Sequence, residues 1–144
     1  MKSFFKLIFL LLIGFTSQAQ KHLTWDDLMD VKFNEEYHND LGAYVMIPDF
    51  GPQVTKFEDK VVEITGYVIP IDIENNDYVL SANPFASCFF CGNSGPESVI
   101  QLKLTAMGSF NTDDYITFRG KLKLNSTDVY SLNYILENAE EALD

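Results

Sequence analysis

Two cysteines stand three positions apart in a segment crowded with turn-forming residues, Asn83-Pro84-Phe85-Ala86-Ser87-Cys88-Phe89-Phe90-Cys91-Gly92-Asn93-Ser94-Gly95-Pro96-Glu97-Ser98. A Cys-x-x-Cys spacing lets both sulfurs face one side of a tight turn, where they hold one metal ion or close one disulfide. Gly92 directly follows the second cysteine. A residue free to take positive φ there lets backbone N–H groups turn toward two thiolates and share their charge, as in zinc knuckles. One pair is half of a tetrahedral site, and the chain has no third cysteine. Further ligands must therefore be imidazole or carboxylate, and His38, Glu97 and Asp49 are the candidates. Each also has an ordinary role: His38 as a solvated turn residue, Glu97 as a cap on the N–H groups of the strand after it, Asp49 as a loop acid. A plain Cys88–Cys91 disulfide stapling the loop is the competing reading. A thioredoxin-like redox pair is a third, although such motifs open a helix in a βαβ unit and these flanks read as strands.

Little else in the chain is reactive. No Ser/His/Asp set, phosphate-binding loop or paired-carboxylate spacing presents itself, so the expected role is a non-enzymatic binding module, with zinc as the tentative cofactor. A thiol-disulfide redox protein and a structural adaptor with a stapled loop are the alternatives. The 21 Asp and Glu against 10 Lys and Arg give a net charge of -11. That sign opposes the counterion-release term behind non-specific nucleic-acid binding, so DNA and RNA are excluded as expected partners. Phe85, Phe89 and Phe90 read as ring side chains folding back over the open end of a small barrel.

The N-terminus has its own logic. Lys2 and Lys6 form a short basic start, Leu7–Phe15 is apolar apart from Gly14, and Ser17 and Ala19 are small residues ahead of a break in hydrophobicity. This is the layout of a secretory signal peptide cleaved after Ala19. The run falls short of the roughly 20 residues needed to span a bilayer, so no membrane span is expected in the mature chain. Cleavage would remove Lys2 and Lys6 and no acid, taking the net charge from -11 to -13. The expected location is the periplasm or beyond, where disulfides form and persist.

With 47% hydrophobic and 14% aromatic residues, residues 20–144 suffice for one core and one domain. Thr24 caps a short helix with Asp26 and Asp27 in its first turn and Trp25 and Leu28 on one face, ending near Asp30. Val31 and Phe33 alternate with polar neighbours, and Ala43–Ile47 reads as a strand stopped by Pro48, with a polar turn over Glu35–Gly42. Val61–Ile71, rich in β-branched residues, is the longest strand signal, and Gly66 in its middle predicts a bulge or bend. Tyr78–Leu80 returns as its hairpin partner after Glu74–Asp77. Ser98–Leu104 and Tyr115–Leu124 alternate as half-buried strands, Ser131–Leu136 is the last strand, and the acidic Glu137–Leu143 reads as a short terminal helix. Five strands, two of them broken by glycines where a barrel would bend, predict an all-β fold: a five-stranded Greek-key barrel of the OB type, with short helices at its ends.

The stretch Ile64-Thr65-Gly66-Tyr67-Val68-Ile69-Pro70-Ile71, followed by Tyr78-Val79-Leu80-Ser81, the Cys88–Gly92 loop and Gly95-Pro96-Glu97-Ser98, resembles a family of small exported bacterial proteins of no known function. Trp25 also fits, and the resemblance covers roughly residues 24–137. More distant members carry a Cys-x-His pair and a proline run in this loop, which implies ligands rather than a disulfide, since His forms none. Here Cys91 stands in place of that His, and the proline run is missing. Such relatives often accompany membrane-associated export or metal-handling systems, which implies a partner of that kind.

Overall fold

The structure, a computed structural model, describes residues 21–87 and 94–143. The β-branched stretch forms the longest strand, β4 (Val61–Asp72), with Val62, Ile64 and Val68 fully buried and Glu63, Thr65 and Tyr67 on the other side. Ahead of it come β1 (Lys21–His22), the four-residue helix α1 (Trp25–Leu28), β2 (Val31–His38), β3 (Ala43–Phe50) and the helix α2 (Pro52–Thr55). After it come β5 (Asp77–Ser81), β6 (Val99–Leu104), β7 (Tyr115–Leu124) and β8 (Tyr134–Glu141).

Strands β4, β5, β6, β8 and β7 neighbour one another in that order, and β7 closes back onto β4. Every pairing within this ring is antiparallel except β6 with β8. That is the predicted all-β, OB-like, five-stranded Greek-key barrel. Its strand β4 is shared: Val61–Tyr67 pairs with β7, and from Tyr67 onward the other edge pairs with β5. The β1 strand adds a short parallel pairing to β4 at Val62 and Glu63.

Inside lie Tyr78, Leu80, Ile100, Leu102, Phe118, Leu122, Tyr134 and Leu136, at no more than 1% exposure. The N-terminal elements complete this core with Leu23, Leu28, Val54 and Phe57. Each fully buried aliphatic side chain there contributes roughly 1.5–3 kcal/mol. Phe110, from the β6–β7 connection, packs edge-on against Tyr78 and Phe118 at centroid distances of 5.5 and 5.2 Å. The plugging ring is thus Phe110; Phe85, expected to fold inward, remains 48% exposed. Phe89 and Phe90 lie outside the described residues, as does the expected signal peptide.

Three local expectations are corrected. The ladder passes Gly66 without a bulge. The missing side chain serves proximity instead: a Cβ there would lie 2.6 Å from the Ser81 carbonyl and 2.8 Å from the Trp25 ring. The acidic C-terminus is a strand through Glu141, not a helix. Its Leu136 and Ala139 are buried between β6 and β7, while Glu137 meets Lys121 at 3.2 Å on the outside. A bulge at Asn138, with φ 51°, absorbs one extra residue opposite Gly120. Finally, β3 runs through Pro48 to Phe50, and β2 extends to His38, so the polar turn shrinks to the residues between His38 and Ala43. Pro48 is tolerated because β3 is an edge strand, where a missing N–H disrupts no ladder bond.

Among the described residues no helix is long and apolar enough to cross a membrane.

Candidate functional site

The connection between β5 and β6 carries the Cys-x-x-Cys motif, and Cys88 and Cys91 lie outside the described residues. Both of its stems are described and firmly attached. Beyond the last ladder pair, Ser81 with Val99, the Ala82 N–H donates to the Ser98 carbonyl at 3.0 Å. Asn83 Nδ2 then donates to Ser94 Oγ at 3.0 Å, and that hydroxyl donates in turn to the Ser87 carbonyl at 3.0 Å. The prolines set the local turns: Phe85–Ser87 follows Pro84 and Pro96–Ser98 opens on Pro96, each one turn of 3-10 helix. The Phe85 N–H donates to Asp113 Oδ1 at 2.7 Å, which fastens the first stem to the turn ahead of β7. Asp113 takes φ 67°, a conformation Asp tolerates better than most residues, and its N–H donates to the Val68 carbonyl at 2.9 Å.

Beside the second stem is a cleft of about 260 Å³ lined by Trp25, Met29, Asn83, Ser94 and Glu97, among others. The Trp25 ring is fixed by an Nε1–H bond to the Thr65 carbonyl at 2.8 Å. Glu97 folds its carboxylate into the space over Gly95. The turn that carries it opens on Pro96, with Gly95 as its N-cap and no side-chain cap bond. Burial above all, and then the negative charges of Glu97 and Asp30, push the Tyr134 phenol far above its ordinary ionisation range. Asp30 is engaged elsewhere, accepting from the Gln53 N–H at 2.7 Å.

The other two predicted ligands lie on the β2–β3 ribbon. His38 pairs with Ala43 at its far end, and its Nδ1 is shielded from solvent with no hydrogen-bond partner among the described residues. Asp49 is exposed and pairs with Lys32 near the base. At about 3.3 Å per residue, the two are separated by roughly 20 Å along the ladder. The structure therefore does not bring His38 and Asp49 together, and of the three candidates only Glu97 lies in the cysteine loop. Among the described residues no three His, Cys, Asp or Glu side chains converge on one point.

One feature escaped the sequence reading altogether. Asn125 organises the β7–β8 loop: its Oδ1 accepts from the N–H groups of Thr127 and Asp128 at 3.2 and 2.9 Å, and its Nδ2 donates to the carbonyls of Asp128 and Leu132 at 2.7 and 3.1 Å. The run Asn125-Ser126-Thr127-Asp128 was the available signal, since such residues bond to nearby backbone.

Comparison with protein-family models, with curated proteins and with solved structures returned no significant match.

Proposed function

We propose that the protein is an exported, non-enzymatic binding module that holds a transition metal, zinc by ligand chemistry, through Cys88 and Cys91 of the β5–β6 loop. The observation that supports this reading is the Ser94 Oγ bond to the Ser87 carbonyl, which ties together the residues immediately flanking the six that contain both cysteines. Holding the two ends of the segment together lowers the entropy lost when a Cys-x-x-Cys pair closes on one ion, since bringing chain ends together is part of that cost. Glu97 is the candidate oxygen ligand, because it belongs to the same loop and its carboxylate lies over Gly95, beside the second stem. Bound zinc would supply a cross-link across the loop. The Asn83, Ser94 and Asp113 contacts would orient the two arms, and the thiols would release their protons on binding. The partner is then a membrane-associated export or metal-handling system.

Elemental analysis combined with thiol counting on protein purified from its exported compartment tests this. Stoichiometric zinc is expected, with both thiols masked until a chelator is added and affinity falling as pH drops. Cys88→Ser and Cys91→Ser should each release the ion while the barrel stays folded, and Glu97→Gln should weaken binding where His38→Ala and Asp49→Asn do not. Metal-free protein without a titratable thiol would establish a disulfide and overturn the proposal. Exchange of that disulfide with glutathione would then mark a redox protein rather than a structural adaptor.

A further inference from the structure

The β2–β3 ribbon leaves one long strand edge unused. Among the described residues β3 pairs only with β2, and no backbone bond outside that ladder involves Tyr44–Pro48. Facing that edge is the Asn125–Asn133 loop, and between the two lies a groove of about 280 Å³ walled by Val45–Pro48 on one side and by Pro96, Val129 and Leu132 on the other. Consecutive residues of a strand point to opposite faces. A groove lined by four in a row therefore follows the edge of the strand, where the main chain is presented, and not one of its faces.

Pro48 shows which groups that edge offers. It sits opposite Phe33 in an unbroken antiparallel register. Having no N–H for the ladder, proline belongs at a position whose N–H would point away from the partner strand. The residues of the same parity, Met46 and Tyr44, then turn their N–H and C=O groups outward. Their side chains are 50% and 71% exposed, and Tyr44 is braced by an edge-on contact with Tyr37 at 5.3 Å. The opposite wall is held in shape by Asn125.

Charge narrows the choice of occupant. The ribbon from Val31 to Phe50 carries four acids, Glu35, Glu36, Asp40 and Asp49, against one basic residue, Lys32, which stands opposite Asp49. The loop opposite adds Asp128 and no basic residue of its own, with Lys103 of β6 near enough to act on the Asp128 carboxyl. A hydrogen bond from Ser131, and then one from the Tyr130 N–H, hold the Asp128 carboxyl below the usual carboxylate range, so its charge persists. Nucleic acid and anionic lipid are repelled by this excess of acids on the ribbon and at Asp128 in the groove wall, and a second copy of this chain would set acids against acids.

We propose that this groove takes an extended segment of a partner protein, with alternating basic and apolar residues, which adds as a third strand to the free edge of β3 at Tyr44–Pro48. Main-chain bonds to Met46 and Tyr44 would supply affinity. The apolar wall would select the side chains of one face, and Asp128 with the acids of the ribbon would select lysine or arginine on the other.

The test uses isotopically labelled mature protein and the capped peptide Lys-Val-Lys-Val-Lys-Val-Lys, followed by NMR titration. Shifts confined to the Tyr44 and Met46 amides and to the 125–133 loop are expected, with affinity falling at least about tenfold when salt rises from about 50 to about 500 mM. Three control peptides should bind at least tenfold more weakly: one with Glu in place of Lys, one with Ser in place of Val, and one N-methylated on the valines. Met46→Pro, which removes an outward N–H, should abolish binding without moving the thermal midpoint. Val129→Lys, which places a like charge in the opposite wall, should do the same and covers the case in which the proline variant misfolds. Equal binding by any of the three control peptides would overturn the proposal, as would shifts that map elsewhere. So would concentration-dependent self-association through the same amides, which would identify the occupant as a second copy.

Discussion

The Tyr134 hydroxyl donates a 2.7 Å hydrogen bond to the Leu28 carbonyl, so the first residue of β8 is fastened to the last residue of α1 across 106 positions of sequence. Tyr134 is fully buried and packs edge-on against Phe50 at 5.5 Å, which makes it the joint between barrel, helix and ribbon. Tyr134→Phe keeps the ring but leaves the Leu28 carbonyl unpaired, and should cost about 1–3 kcal/mol in urea unfolding at neutral pH.

The same residue sets an alkaline limit. Its phenol ionises less readily in the fold than its ordinary value of 10.0, because of burial first and then the charges of Glu97 and Asp30. A raised folded-state pKa means that the unfolded chain loses its proton first. The stabilisation is complete below pH 10 and is lost as pH rises above it. Urea midpoints measured across this range should fall more steeply for the native chain than for Tyr134→Phe; parallel curves would show that this phenol is not responsible.

Gly66→Ala should destabilise the barrel by about 1–3 kcal/mol, the usual cost of overpacking a tight core. The nearest obstacle, the Ser81 carbonyl at 2.6 Å, is backbone and cannot rotate away. Trp25, the single tryptophan of the chain, is the next contact, so its fluorescence should report the displacement. An unchanged emission maximum and thermal midpoint would contradict this packing.

Asp27 and Thr24 cap α1 reciprocally: Asp27 Oδ2 accepts from the Thr24 N–H at 3.0 Å, and Thr24 Oγ1 accepts from the Asp27 N–H at 3.3 Å. Burial pushes the Asp27 carboxyl up, but the hydrogen bonds from Thr24 and the nearby Lys56 outweigh it and leave the pKa below 3.8. A lowered folded-state pKa gives stability that is present above 3.8 and lost as pH falls through the folded value. Asp27→Ala should therefore cost about 0.3–1 kcal/mol at pH 7, and the difference from the native chain should shrink in acid. A gap that stays constant down to pH 2.5 would count against the charged cap.

Asn125→Ala removes both acceptor and donor from the β7–β8 loop. Hydrogen exchange at the Thr127 and Asp128 amides should accelerate, while the amides of β4 and β7 remain protected. Peptide binding in the adjoining groove should weaken in the same variant, because the wall opposite β3 loses its shape. Unchanged exchange at both loop amides would show that another group holds the loop.

Much of the barrel was legible in the chain itself. Alternation separates Val62, Ile64 and Val68 from Glu63, Thr65 and Tyr67 whatever the partner strand, because the side-chain period of two is a property of the extended backbone. The capped helix at Thr24–Asp27 and the turn-rich cysteine loop are equally local. What needed the tertiary structure were choices made by distant neighbours. Glu137–Glu141 is acidic enough for a helix, yet the slot between β6 and β7 buries Leu136 and Ala139 only if the chain is extended. Gly66 looks like a bulge until Trp25 and the Ser81 carbonyl are seen to occupy the space of its missing side chain. The candidate site divides the same way. Cys88, Cys91 and Glu97 share a loop by sequence, whereas the placement of His38 and Asp49 on a ribbon, and the groove between that ribbon and the Asn125 loop, arise from contacts between segments far apart in the chain, which no short-range pattern encodes.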